Sequence, residues 1–380
     1  MKVGIVTYHK AHNYGAFLQA YALSSRLNME SGINAEVINF TMDSEVKSYK
    51  VPFSKNIFRT IHDFKKYKMF NSIALPFLSA ASCTIVTSEE EFRTLVNKKY
   101  DVIIAGSDEI WKINKRRIFP NPYWLPGDYG CIKMAYAASG RCEYSKMGNS
   151  IRNQVKNFLS SFAYVGVRDR STKKYLIECD LALDIELNCD PTFLYDFQID
   201  KEEARKKIHN RYHITDDKKI ILVMYGSKEL IKILKTMVRS DAKIISVYDW
   251  NYGVLNLPSI TPIEWIELIA ASDLVITKYF HACCFSIINN TAFLAIEERA
   301  ECREDSKLYD LCSEFNCLNR FSLKLSEAVQ HGNFERIWKS VKNNETVNYL
   351  REIESYRNRS SSFFERLHEI KDELTRIKQY

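Results

Sequence analysis

The 380-residue chain is 46% hydrophobic and 13% aromatic, with 12 glycines and 8 prolines. That makeup suits two globular domains and excludes a low-complexity or linker-built architecture. Fifty-four Lys and Arg against 47 Asp and Glu leave a formal net charge of +7, which fits an anionic small substrate or an anionic membrane surface, while no basic stripe interleaved with aromatics marks a nucleic-acid binder.

The chain opens directly on a strand-like run, residues 2–8 (KVGIVTY), which leaves no room for a signal peptide and predicts a cytoplasmic protein. No run of about 20 apolar residues predicts a transmembrane helix. Ten cysteines, scattered singly apart from Cys283–Cys284 and never spaced CxxC, predict reduced, buried thiols, with no zinc site and no disulfide framework. After the first strand a helix is expected, because Ala16, Ala20, Leu23 and Leu27 follow helical spacing. Further strands are expected at 35–40, 101–107, 133–139 and 163–169. Joined by helices, these runs imply parallel β-structure with right-handed crossovers.

Residues 41–100 interrupt this order with the aromatic and basic stretch FSKNIFRTIHDFKKYKMF (53–70). It reads as a helical insertion that packs its Phe residues and solvates its lysines; the sharper reading is a surface for anionic lipid or a lipid-linked acceptor. After CDPTFLYD (189–196) the charged stretch 197–217 reads as a hinge. A second βα series follows, with strands at 219–226, 242–249, 274–279 and 292–297 and a helix at 261–272 whose Trp265, Leu268 and Ile269 share a face. From about 322 the chain is helical and charged and is expected to cross back and brace the first domain. The expected organisation is a Rossmann-like domain over 1–196, a hinge over 197–217, a second Rossmann-like domain over 218–345 and a helical segment over 346–380, with parallel sheets facing a cleft. Ligands of such sheets bind beyond the carboxyl ends of the strands.

That rule selects the loops. In HKAHNYG (9–15), the N–H groups of Gly15 and Ala16 open a helix and form a natural anion site. Asn13 either caps that helix or faces a ligand, and Gln19 one turn later either packs or reaches the ligand. In AGSDEIWK (105–112), Asp108 is an N-cap or a carboxylate that takes a hydroxyl proton. The small residues of YAASGR (136–141), Ser139 among them, suit close ligand approach or tight packing. Arg168, at a strand end, pairs with a carboxylate such as Asp169 or clamps an anionic substrate. In TKYFHACCFS (277–286), His281 sits at a strand-to-helix turn with Lys278 nearby; a lone histidine there is either a core residue or a proton carrier. No metal constellation appears.

In order, the motifs Asn13/Gly15/Ala16/Gln19, Gly106–Trp111, Tyr136–Ser139, Val167–Ser171, Asp190–Leu194 and Val275–His281 resemble the polysaccharide pyruvyl transferase family over roughly residues 1–320. The resemblance implies a fold similar to the two-domain GT-B glycosyltransferases. It also implies transfer of pyruvate from phosphoenolpyruvate onto two hydroxyls of a sugar residue, giving a cyclic ketal in bacterial surface-polysaccharide synthesis, with no cofactor beyond that donor. It makes His281 the general acid and lets Asp108 take a hydroxyl proton. Arg168, Lys278, Gly15, Ala16 and Ser139 would bind the donor, and Asn13, Gln19, Ser107 and Glu109 the sugar or lipid-linked oligosaccharide acceptor. The last motif departs from the family pattern: Lys278 replaces the usual acidic residue, Tyr279 a Ser or Arg, and Ala282 the Gly after the histidine; Glu109 stands for the usual Gln. A nucleotide-sugar glycosyltransferase of the same fold and a non-catalytic glycan-binding member are the alternatives. The acceptor sugar, the ketal stereochemistry and the oligomeric state are left open.

Overall fold

The computed structural model describes residues 1–42, 55–77, 88–114, 119–140, 142–345 and 347–378. They divide into two compact units: the first draws on 1–50, 74–195 and 354–380, the second on 51–73 and 196–353. Each is built on a six-stranded, wholly parallel sheet flanked by helices.

The first sheet has the order β2-β1-β3-β4-β5-β6, with β1 Lys2–Val6, β2 Asn34–Val37, β3 Val102–Ala105, β4 Ile132–Ala138, β5 Phe162–Val167 and β6 Ile185–Leu187. The second has the order β12-β11-β10-β7-β8-β9, with β7 Lys219–Met224, β8 Ala242–Ser246, β9 Leu255–Asn256, β10 Leu274–Thr277, β11 Phe293–Ile296 and β12 Phe321–Ser322. The central strands are continuous apolar runs because helices cover both faces; Val102–Ala105 and Leu274–Thr277 are buried at every position. The nine strands expected from the sequence are all present. Three more, β6, β9 and β12, are two or three residues long and lie at sheet edges.

The helix Tyr14–Asn28 buries Ala16, Ala20, Leu23 and Leu27 as its spacing predicts. Thr261 and Glu264 form a capping box at the start of the helix Pro262–Ala271, whose Trp265, Leu268 and Ile269 are buried.

Two segments depart from the expectation. The charged stretch read as a hinge is instead a helix, Lys201–Tyr212, capped by Asp200 and seated on the second unit by buried Ala204 and Ile208. Arg205 reaches Asp273 at 2.9 Å and Lys207 reaches Glu267 at 2.7 Å, so its charges fasten it along the sides of an apolar seam. The stretch read as one insertion into the first domain is shared. The helix Ile57–Phe77 groups, as far as residue 73, with the second unit, and Glu89–Lys99 with the first. Parts of that stretch, 43–54 and 78–87, lie outside the described residues, as does Arg141 of the YAASGR motif.

At the other end, the helix Ser361–Ile377 belongs to the first unit. Phe363 is fully buried, its ring 4.6 Å from that of Tyr136 and 5.5 Å from that of Tyr164. Ser360 and Tyr136 share a hydroxyl hydrogen bond of 2.8 Å, and His368 meets Glu30 at 2.9 Å.

Candidate functional site

In each sheet the chain runs outward from a first strand, then returns to that strand's other side. The reversal falls between β1 and β3 in the first unit and between β7 and β10 in the second. A crevice forms at the carboxyl ends of such a strand pair, and ligands bind there.

In the first unit that edge is largely closed by its own bonds. The Thr7 hydroxyl donates to the Ser107 carbonyl at 2.8 Å, tying the end of β1 to the end of β3. The Gln19 amide, fully buried, lies within 3.1 Å of Thr7 Oγ1, Tyr8 O and Ala16 O. Asn13 is the helix cap: its Oδ1 accepts from the Gly15 N–H at 2.9 Å and from the Ala16 N–H at 3.4 Å. These two N–H groups, expected to face a donor anion, are therefore satisfied from within the chain. Gly106 has φ +129°, and a Cβ built on it would stand 2.0 Å from the Tyr136 carbonyl oxygen, so only glycine fits this turn.

The buried Arg168 lies on this edge at the end of β5. Its Nη1 donates to Asp190 Oδ2 at 2.8 Å, and Nη2 stands 3.5 Å from Asp108 Oδ1. Burial alone would lower its pKa; the carboxylates of Asp190 and Asp108 outweigh burial and raise it. Asp108 also accepts from the Glu109 N–H at 2.8 Å, and its carbonyl accepts from the Ser139 N–H at 2.9 Å. The Ser139 hydroxyl donates to Asp169 at 2.6 Å, and Asp169 caps the following helix through the Thr172 N–H. Trp111 is core, stacked on Trp124 at 5.2 Å.

The sequence-derived residues of this unit thus fall into two groups. Gly15, Ala16, Gln19, Ser107, Ser139 and Arg168 are buried, and their polar bonds hold the edge together. Asn13, Asp108 and Glu109 retain exposure, with Glu109 facing Lys112 at 3.6 Å.

The second unit differs. A cavity of about 520 Å³ lies at the ends of β7, β8 and β10. Gly226, Ser227 and Lys228 bring the start of the helix Lys228–Val238 to it; Asp249–Tyr252 come from the loop after β8, Lys278 from the loop after β10, and Asn56 and Arg59 from the helix at 57–77 and its lead-in. Lys278 meets Asp249 at 3.1 Å and lies 5.5 Å and 5.6 Å from the ring centres of Tyr225 and Tyr279. Arg59 and Lys228 add two more cations; Asp249 is the one carboxylate among the lining residues. Asn251 braces the loop, donating to the Tyr225 carbonyl at 3.1 Å and the Ser246 hydroxyl at 2.9 Å, and accepting from the Ser227 N–H at 3.3 Å. Cations converging at a helix N-terminus make an anion site.

His281 follows in the first turn of the helix Phe280–Ile288. It is 6% exposed, edge-on to Phe280 at 5.4 Å, and is not among the residues lining the cavity. Arg59, Lys228 and Trp250 are cavity residues that sequence reasoning missed. Only the Gly226-Ser227-Lys228 turn carried a signal, as a strand-to-helix loop at a carboxyl edge. Among the described residues no group of three or more His, Cys, Asp or Glu could hold a metal ion.

The family model for polysaccharide pyruvyl transferase matches residues 13–299. No curated protein matches the sequence. Among solved structures the chain is similar to Anabaena HepE, solved with UDP-glucose, at 10% identity and TM-score 0.53 over 99% of each chain. It is similar to UDP-GlcNAc 2-epimerase from Neisseria meningitidis, solved with UDP-GlcNAc, at 11% identity and TM-score 0.55 over 97% of this chain and 100% of that one. A third likeness is UDP-N-acetylglucosamine 2-epimerase from Rickettsia bellii, at 10% identity and TM-score 0.54 over 99% and 98%. At these identities the likeness shows the fold alone, the GT-B class of glycosyltransferases and epimerases.

Proposed function

The chain belongs to the polysaccharide pyruvyl transferase family, and from that premise we propose that it moves pyruvate from phosphoenolpyruvate onto two hydroxyls of one sugar residue. The observation that carries the donor assignment is the cavity of the second unit, where Arg59, Lys228 and Lys278 gather at a helix N-terminus around a single carboxylate. Phosphoenolpyruvate carries a phosphate and a carboxylate on three carbons, and a small, net-positive recess suits it.

In this reading a proton added to the donor's methylene carbon makes C2 electrophilic. One sugar hydroxyl adds there and gives up its proton. The second hydroxyl then replaces the phosphate at the same carbon and passes its proton to the departing phosphate, leaving a cyclic ketal and inorganic phosphate. His281 supplies the proton to carbon, as its position in the family motif implies. Lys278 holds donor oxygens and balances the charge of the departing phosphate. Asp108 takes a hydroxyl proton. Arg168, committed to Asp190 and Asp108, is a positioning residue that keeps Asp108 oriented.

The test is incubation with phosphoenolpyruvate and a panel of galactose-, mannose- and acetamido-sugar acceptors. The expected result is an acceptor-dependent gain of pyruvate mass with release of one phosphate. A gain of sugar mass from a nucleotide sugar, with none from phosphoenolpyruvate, would replace this reading with glycosyl transfer. Tight glycan binding without turnover would leave a binding protein.

A further inference from the structure

The helix Ile57–Phe77 is held on one side and bare on the other. Its inward face buries His62, Met69 and Phe70, and the Lys66 ammonium donates to the Tyr248 carbonyl at 2.9 Å. About a third of a turn away, Ile57, Phe58, Ile61 and Phe64 are 63%, 69%, 46% and 55% exposed. Elsewhere among the described residues, large apolar side chains with that exposure fall singly along the sequence; here four share an arc of one helix. The arc also carries the exposed Lys65 and Lys68, and it continues into an apolar depression of about 890 Å³ lined by Ile61, Phe64 and Met69 together with those two lysines.

We infer that this face docks on an anionic lipid bilayer. Contiguous exposed aromatics and aliphatics mark a surface that is covered in use. Lys65 and Lys68 have no carboxylate within ion-pair distance among the described residues, so the covering surface should be anionic. An in-plane helix sinks such an arc to the headgroup level, its lysine stems lying along the acyl boundary while the ammonium groups reach the phosphates. No helix among the described residues is long and apolar enough to cross a membrane, so the contact is peripheral. The same helix end supplies Asn56 and Arg59 to the cavity described above. Docking would thus hold that cavity near the bilayer, where a lipid-linked acceptor resides. Only this last point rests on the proposed activity; the docking does not.

The experiment is flotation of the full chain with vesicles of phosphatidylcholine alone and of phosphatidylcholine with 30% phosphatidylglycerol, with and without added salt. Binding is expected to the anionic vesicles only. Phe58→Glu with Phe64→Glu should abolish it without moving the thermal midpoint, both side chains being exposed. Lys65→Gln with Lys68→Gln should weaken it by roughly thirtyfold at low salt and flatten its salt dependence. The inference is overturned if the chain stays with the soluble fraction at millimolar anionic lipid. It is equally overturned if the Phe variant floats like the parent, or if sedimentation shows a dimer that the Phe variant dissociates, since the face would then be covered by a second copy. Vesicle binding is read without donor or acceptor, so its failure is separate from failure of the transferase assay.

Discussion

The two sheets are built alike and put the edge beyond their strands to opposite uses. In the first unit the polar groups there point at one another: Arg168 at Asp190 and Asp108, Ser139 at Asp169, Gln19 at Thr7, Asn13 at two N–H groups. In the second, Arg59, Lys228 and Lys278 line an open cavity of about 520 Å³, where Lys278 meets Asp249 at 3.1 Å and Arg59 stands 3.9 Å from Asp63, pairs that stay partly exposed. A buried charge must find its partner within the protein or lose several kcal/mol, whereas a half-exposed charge keeps its hydration until a ligand replaces it. Burial, more than residue type, therefore separates the architectural cations from those left for a ligand.

Four measurements would break or sharpen that contrast. His281→Gln is expected to reduce turnover by about 10²–10⁴-fold, the range of a lost general acid, with an unchanged circular dichroism spectrum; retained turnover would remove the imidazole from the reaction. Arg168→Leu removes one member of a buried ion pair and should lower stability by about 3–5 kcal/mol in urea unfolding. A variant that stayed stable but lost donor affinity would move Arg168 from the architectural group to the binding group. Lys278→Ala should do the reverse, leaving the unfolding midpoint in place while raising KM for phosphoenolpyruvate about 10–100-fold, as for a lost charged hydrogen bond.

The smallest effect is on pH dependence. His9, buried with Nδ1 3.1 Å from the Thr7 carbonyl, is held below its usual pKa, chiefly by burial. The unfolded chain therefore takes up a proton that the folded one refuses. Stability should fall as pH drops through about 6.5, and His9→Gln should flatten that slope.

Apart from the edge strand β2, the expected strands were legible because a central parallel strand is an unbroken apolar run. The edge strands β6, β9 and β12 were not, since two or three residues cannot establish a period. The helix at 201–212 was hidden for a related reason: it buries little beyond Ala204 and Ile208, so its composition resembles a solvated hinge. The motif loops were found by their place after strands, and the structure puts them there. Their chemistry was less legible. Asn13 caps in a way its residue type allowed, but nothing local announces that Arg168 meets Asp190 across 22 positions. Arg59 and Trp250 reach one cavity from distant segments, which no spacing rule connects.

The return of the last helix to the first unit has a consequence during translation. The aromatic socket around Tyr136 and Tyr164 waits for Phe363, which leaves the ribosome only after the whole second unit. At about 5–20 residues per second, the roughly 200 residues between Tyr164 and Phe363 would keep the nascent socket unfilled for some 10–40 s. A message truncated anywhere in the second unit would strand that hydrophobic seat without its occupant, so chaperone demand and degradation of such fragments should track the missing C-terminus.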